Sequence, residues 1–209
     1  MRASLVPAVA ALVAVAAAGC TGAATPTPVA AAASSGDHSV GLAAALLTVQ
    51  DLPLGFQAQD GAADATALGC TGIDGVYLAS GAAGRAAVSF AHSLSPAFVN
   101  ETLTDRPDGA AAAALEEFRA AARDCARFVG PDGTAYRVTT VSLPRYGDGS
   151  AAVRITSGLT EARPVELVAV RVGDTVVAVA AAGAGAEDTE LTRTMVDRAL
   201  AKLRRTPRR

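Results

Sequence analysis

Histidine, cysteine and signature motifs are scarce in this chain, and each scarcity removes a class of function. It has two histidines and three cysteines in 209 residues. No Cys-x-x-Cys and no zinc-ligand spacing is present, so neither a redox dithiol nor a metal site is expected. No Gly-x-Ser-x-Gly elbow presents a nucleophilic serine. The net charge is only −2. The one concentration of basic residues is the tail "RRTPRR", which is too small for a nucleic-acid footprint. The uncharged run from Leu5 to Ala18 falls short of the roughly 20 residues that cross a bilayer. No internal repeat is visible.

What the amino terminus does contain is a leader pattern. Arg2 supplies a short positive region, the apolar run follows, and small residues close it with no Lys or Arg behind them as a stop-transfer signal. Residues 1–19 are therefore expected to be a signal peptide. The sequence Ala17-Ala18-Gly19-Cys20 resembles a bacterial lipobox, with Ala17 where leucine is usual. The resemblance implies that the Cys20 thiol carries diacylglycerol, with acyl chains such as palmitate. Two chains matter, because one alone anchors only reversibly. The alternative is an ordinary cleavage site beside a free or buried cysteine. With Cys20 committed to lipid, Cys70 and Cys125 remain and are expected to pair in an oxidising compartment. Residues 20–39, rich in Ala, Thr, Pro and Ser, read as a tether with a reach of about 25 Å. His38 lies in it and reads as solvated.

The folded part is expected over 40–205, with 206–209 a basic tail. "GLAAALLTVQDLPLGF" suggests a short amphipathic helix broken by Pro53 and Gly55. "GVYL", "RAAVSFAHSL" and "AFVNETLTD" read as strands. The apolar spacing of Leu115, Phe118, Ala122, Cys125 and Val129 predicts a helix from an Asp108 N-cap to a stop at Gly130-Pro131. Four strands follow: "AYRVTTVSLP", "SAAVRITSG", "VELVAVRV" and "TVVAVAAA". The last two are joined by Gly173-Asp174, a two-residue hairpin signal. That turn pairs Val172 with Thr175, Val170 with Val177 and Val168 with Val179. A final helix begins at Asp188, ends in Lys202, Arg204 and Arg205, which suit the macrodipole, and buries Leu191, Met195, Ala199 and Leu203. The expected class is α+β, a twisted antiparallel sheet with helices packed on one face.

Few residues invite chemistry. Gly183-x-Gly185 lacks the third glycine of a dinucleotide fingerprint, and Glu187 and Asp188 would repel phosphates, so a flexible strand–helix loop is expected there. His92, beside Ser89, Ser93 and Ser95, reads as a strand-end histidine bonded to a neighbour. Asp148 in "RYGDGS" reads as a turn, and Glu116 and Glu117 as solvated. No catalytic residue, metal or cofactor is expected.

The order of lipobox, tether, "ALLTVQDLPLGF", lone Cys70, the helix "AALEEFRAAARDCARFV" and the "YGDGSAAVRI…VELVAVRVGDTVVAVA" strands is similar to that of actinobacterial lipoproteins with a sensor-type domain, like the extracellular domain of PknH-type serine/threonine kinases. The resemblance implies a non-enzymatic, ligand-sensing module on a twisted antiparallel sheet with a cleft. One cysteine pair is expected here where the kinase sensor has two, and no attached kinase domain is expected. The expected protein is thus anchored on the outer face of the plasma membrane. There it would bind a small or apolar envelope ligand, or a protein partner, between sheet and helices, with the exposed sheet face and the Gly183–Asp188 loop as the candidate contacts. A structural or accessory envelope lipoprotein without a small-molecule ligand is the second reading, and a hydrolase around His92 the third.

Overall fold

A computed structural model describes residues 41–60, 66–78, 82–159, 163–183 and 188–207. Residues 1–40, including Cys20, His38 and the expected leader and tether, lie outside it. So do residues 184–187 of the Gly183–Asp188 loop.

Runs rich in valine, alanine and other apolar residues build, among the described residues, eight strands, all paired antiparallel, in one sheet. These are β1 (Phe56–Gln59), β2 (Gly84–His92), β3 (Phe98–Asp105), β4 (Arg127–Val129), β5 (Ala135–Thr140), β6 (Gly149–Ser157), β7 (Val165–Val172) and β8 (Thr175–Ala182). Their spatial order is β1-β2-β3-β8-β7-β6-β5-β4. Two meanders, β1–β3 and β4–β8, meet where β3 pairs β8. The helices are α1 (residues 41–45), α2 (Thr71–Tyr77), α3 (Ala110–Asp124) and α4 (Asp188–Arg205).

The β7–β8 hairpin has the expected register, and Gly173 supplies its positive φ of 61°. Val168, Val170, Val177 and Val179 form one face and pack against α4 through Met195, Val196, Ala199, Leu200 and Leu203. Leu42, Ala45 and Leu47, in and just after α1, join the same cluster. The opposite face of these strands, Leu167, Ala169, Val176, Ala178 and Ala180, packs under α2 and α3. The α+β class and the antiparallel sheet are as expected. Helices cover both faces, however, which corrects the expectation of one. The cause is visible in β8, where every residue is buried because both of its faces are apolar.

Two segments differ from the sequence reading. "GVYL" closes α2, not a strand. Cys70 is the N-cap of α2, Ile73 and Val76 bury one side, and Asp74 accepts the backbone N–H groups of Leu68 (2.8 Å) and Gly69 (2.9 Å). Tertiary burial overrides the strand propensity of Val and Tyr here. The long helix begins at Ala110 after a left-handed Gly109, so Asp108 is not its N-cap. It ends at Asp124, well before Gly130. The chain then turns into β4, whose Phe128 stacks on Tyr136 of β5 at 5.1 Å. Leu115 and Phe118 are buried on the expected stripe, Ala122 and Cys125 are half-buried, and Val129 is exposed on β4.

α2 and α3 lie unusually close. A Cβ on Gly72 would stand 2.4 Å from the Glu117 carbonyl oxygen, a contact only glycine permits.

Candidate ligand cleft

The sheet face beneath α2 and α3 is not filled along its length. α3 sits over one end of β6, where Leu115 approaches Gly149. At the other end of the strands a cleft of about 350 Å³ opens between the sheet and α2. Its floor is a set of cross-strand rows. Asn100 faces Ala180, which faces Leu167, and Ile155 faces Val165. Phe98 lies at the β3 end, and Leu68, Ile73 and Tyr77 form the helical wall. Small side chains create the depth, because Ala180 stands where a valine would fill the space.

That wall is held from several sides. Cys70, the N-cap of α2, is bonded to Cys125, the C-cap of α3, with S–S 2.11 Å and Cα–Cα 6.0 Å. The Arg106 guanidinium, buried, donates to the Gly75 carbonyl at 2.5 Å and to Thr104 Oγ1 at 3.2 Å. Asn100 Nδ2 donates to the Tyr77 hydroxyl at 3.0 Å, while Ser89 Oγ donates to Asn100 Oδ1. The mouth carries Ser157, Leu159 and Arg163, and Leu159 is 62% exposed there. Arg163 Nη1 donates to the Gly183 carbonyl at 3.4 Å.

None of the residues read from sequence as candidate chemistry lines the cleft, although Ser89 bonds its Asn100 and Gly183, at the start of the loop expected to contact a ligand, bonds its Arg163. His92 ends β2, accepts the Leu94 N–H on Nδ1 at 3.1 Å and meets the Phe56 ring edge-on at 5.3 Å. It has the expected bonded-neighbour geometry. Ser89 projects from β2 toward Asn100 and Tyr77, on the face opposite Phe90 and His92, and Ser95 Oγ accepts the Ala97 N–H at 3.4 Å. No serine–histidine pair forms among the described residues. Asp148 braces a turn, accepting the Gly173 N–H at 2.6 Å. Glu116 pairs with Arg119 along α3, and Glu117 is exposed. Among the described residues no group of three or more His, Cys, Asp or Glu side chains converges as a metal site would. None of the described helices is long and apolar enough to cross a membrane.

Two buried carboxylates, Glu101 and Glu166, carry no signal in the sequence. Glu166 of β7 binds Arg154 at 2.5 Å and accepts the Thr189 hydroxyl of α4 at 2.8 Å. Glu101 of β3 is wholly buried on the α4 face, where its Oε2 accepts the Leu47 N–H at 2.6 Å. Burial raises its pKa to about 7, against the Leu47 bond and the Lys202 charge, with Asp51 reinforcing the rise. Asp51 itself is held at about 2. Desolvation works the other way, but bonds from Lys202 (2.9 Å) and from the Thr48 hydroxyl and N–H prevail.

Comparison with known proteins bears on the architecture. No family model matches the chain, and no curated protein matches it. Among solved structures, the extracellular domain of PknH from Mycobacterium tuberculosis is similar, with a TM-score of 0.51 over 73% of this chain and 78% of that one. The two share a fold. At 15% identity the likeness concerns the backbone arrangement and transfers no site residue.

Proposed function

We propose that the chain is a non-catalytic, extracytoplasmic binding domain, anchored at the outer face of the plasma membrane through Cys20, whose cleft under α2 takes a small apolar ligand. The cleft is the observation that carries the ligand part. It is mostly apolar, carries a few polar groups, and falls at the small end of the roughly 300–1,000 Å³ range of ligand sites. Its position between helix and sheet is also a usual one for such sites. The location part is supported by the lipobox-like sequence, by a Cys70–Cys125 bridge of the kind that persists in oxidising compartments, and by a shared fold with a protein described as an extracellular domain.

Native mass spectrometry of the protein extracted from its own envelope tests both parts. The expected spectrum shows a chain starting at Cys20 with acyl mass on it, two protons short for the bridge, and a fraction carrying an apolar small molecule. A mature chain without acyl mass contradicts the anchor. A chain free of cargo that also fails to take up added apolar compounds contradicts the ligand.

A further inference from the structure

We infer that the cleft takes a single-chain amphiphile with an anionic head, its chain on the sheet floor and its head at Arg163. This rests on the binding reading above and narrows it to a chemical class. Three observations lead to it.

The first is charge. Among the described residues, those lining the cleft include one cation, Arg163, and no carboxylate. An anion arriving there meets an opposite charge, and a cation meets only a like one.

The second is hydrogen-bond direction. Within the cleft's polar network, both functions of the Asn100 amide are engaged, its oxygen by Ser89 and its nitrogen by Tyr77. The Tyr77 oxygen accepts from Asn100, so its own proton is left to offer. Ser157 Oγ accepts the Leu159 N–H at 3.4 Å, which likewise leaves a hydroxyl proton. Arg163 has five N–H donors, and one is engaged with Gly183. Tyr77, Ser157 and Arg163 thus each keep a donor for a ligand, while Tyr136, also in the lining, gives its hydroxyl proton to Asp132. The matching ligand brings acceptors, as a carboxylate or phosphate does and an ammonium does not.

The third is shape. Ala180, Leu167, Ile155 and Val165 make a continuous aliphatic floor, and about 350 Å³ suits one chain better than a multi-chain lipid. Leu159 and Arg163, both exposed, line the same cleft, an apolar and a charged group where chain gives way to head.

Isothermal titration with four twelve-carbon probes, each below its aggregation concentration, tests the inference: dodecanoate, dodecyl phosphate, methyl dodecanoate and dodecylammonium. Arg163 is exposed, so solvent moderates its contribution, and the expected preference for an anion over the neutral ester is about 5- to 10-fold. The ammonium binds more weakly than the ester. Comparing carboxylate with phosphate tells a free-acid ligand from a phosphate-headed one. Arg163→Gln is expected to bring the anions down to the ester's affinity while leaving the ester unchanged. Arg163→Lys keeps part of the preference. If anions and ester bind the wild-type protein equally, or the ammonium binds best, the head-group inference is overturned while the cleft reading stands. If none of the four binds, the cleft reading falls too.

Discussion

Removing the Cys70–Cys125 bridge, by a Cys70→Ser/Cys125→Ser double variant, is expected to cost about 4 kcal/mol. The chain-entropy model gives that figure for a bridge between residues 55 apart in sequence. For a domain of this size it lowers the melting temperature by on the order of 10–15 °C. The effect should be concentrated rather than spread. α2 is seven residues long and includes two glycines, far below the length at which a helix holds itself together. Without the bridge it is retained by Ile73 and Val76 in the core and by the Arg106 bond to Gly75. The cleft wall of Leu68, Ile73 and Tyr77 should therefore loosen before the sheet does. Urea unfolding measures the global loss, and hydrogen exchange locates it. A double variant within about 1 kcal/mol of wild type, with α2 amides equally protected, contradicts this account of the bridge.

Glu101 should make the protein more stable in mild acid than in mild alkali. Its carboxyl titrates near 7 when folded, against an ordinary value of 4.5. Below pH 4.5 it is neutral in both states and no charge is buried. Between 4.5 and 7 the unfolded chain ionises while the folded one stays protonated, and stability falls. Above 7 the full difference is lost, about 3 kcal/mol from this group. Asp51 acts in the opposite sense at lower pH. Its pKa is depressed from 3.8 to about 2, so its contribution is present above 3.8 and disappears as the pH falls toward 2. Both acids meet at the same join, where the Leu47–Asp51 segment packs against β3 and α4. Glu101→Gln keeps an acceptor for the Leu47 N–H and removes the titration. Urea midpoints across pH 4.5–8 should slope for wild type and flatten for the variant. Parallel curves would show that Glu101 ionises in the folded protein as it does in the unfolded one.

Part of this structure is legible in the amino-acid order. Gly173-Asp174 between two valine-rich runs determines a hairpin and its register, because the turn and the period of two leave a single pairing that keeps the valines together. α4 is legible for the same kind of reason, with Met195, Ala199 and Leu203 at helical spacing. α2 was not, since "TGIDGVY" contains two glycines and strand-favouring residues and forms a helix only because α3, Arg106 and Cys125 surround it. The placement of helices on both faces was partly readable. "TVVAVAAA" has no polar alternation, the mark of a strand covered on both sides. The long helix reads past its true end at Asp124 because Cys125, Phe128 and Val129 continue the 3,4-spacing while Pro131 and Gly133 arrange a hairpin.

The cleft itself was not legible residue by residue. Tyr77, Asn100, Ile155, Arg163 and Ala180 come from separate parts of the chain, and only strand pairing brings them together. One trace existed. In "FVNETLTD" Asn100, Thr102 and Thr104 alternate with Val99, Glu101 and Leu103, so a central strand shows a polar row to one side. That row runs beneath α2, and Asn100 in it anchors Tyr77.

Where an amphiphile settles on the protein tests the cleft most directly. Amide shift mapping of the isotope-labelled protein during titration with dodecanoate measures this. The expected changes cluster at Ile73, Tyr77, Asn100, Ile155, Leu167 and Ala180, while Met195 and Leu200 on the other side of the sheet stay still. Shifts gathered on α4, or scattered without saturation, would contradict a binding cleft beneath α2.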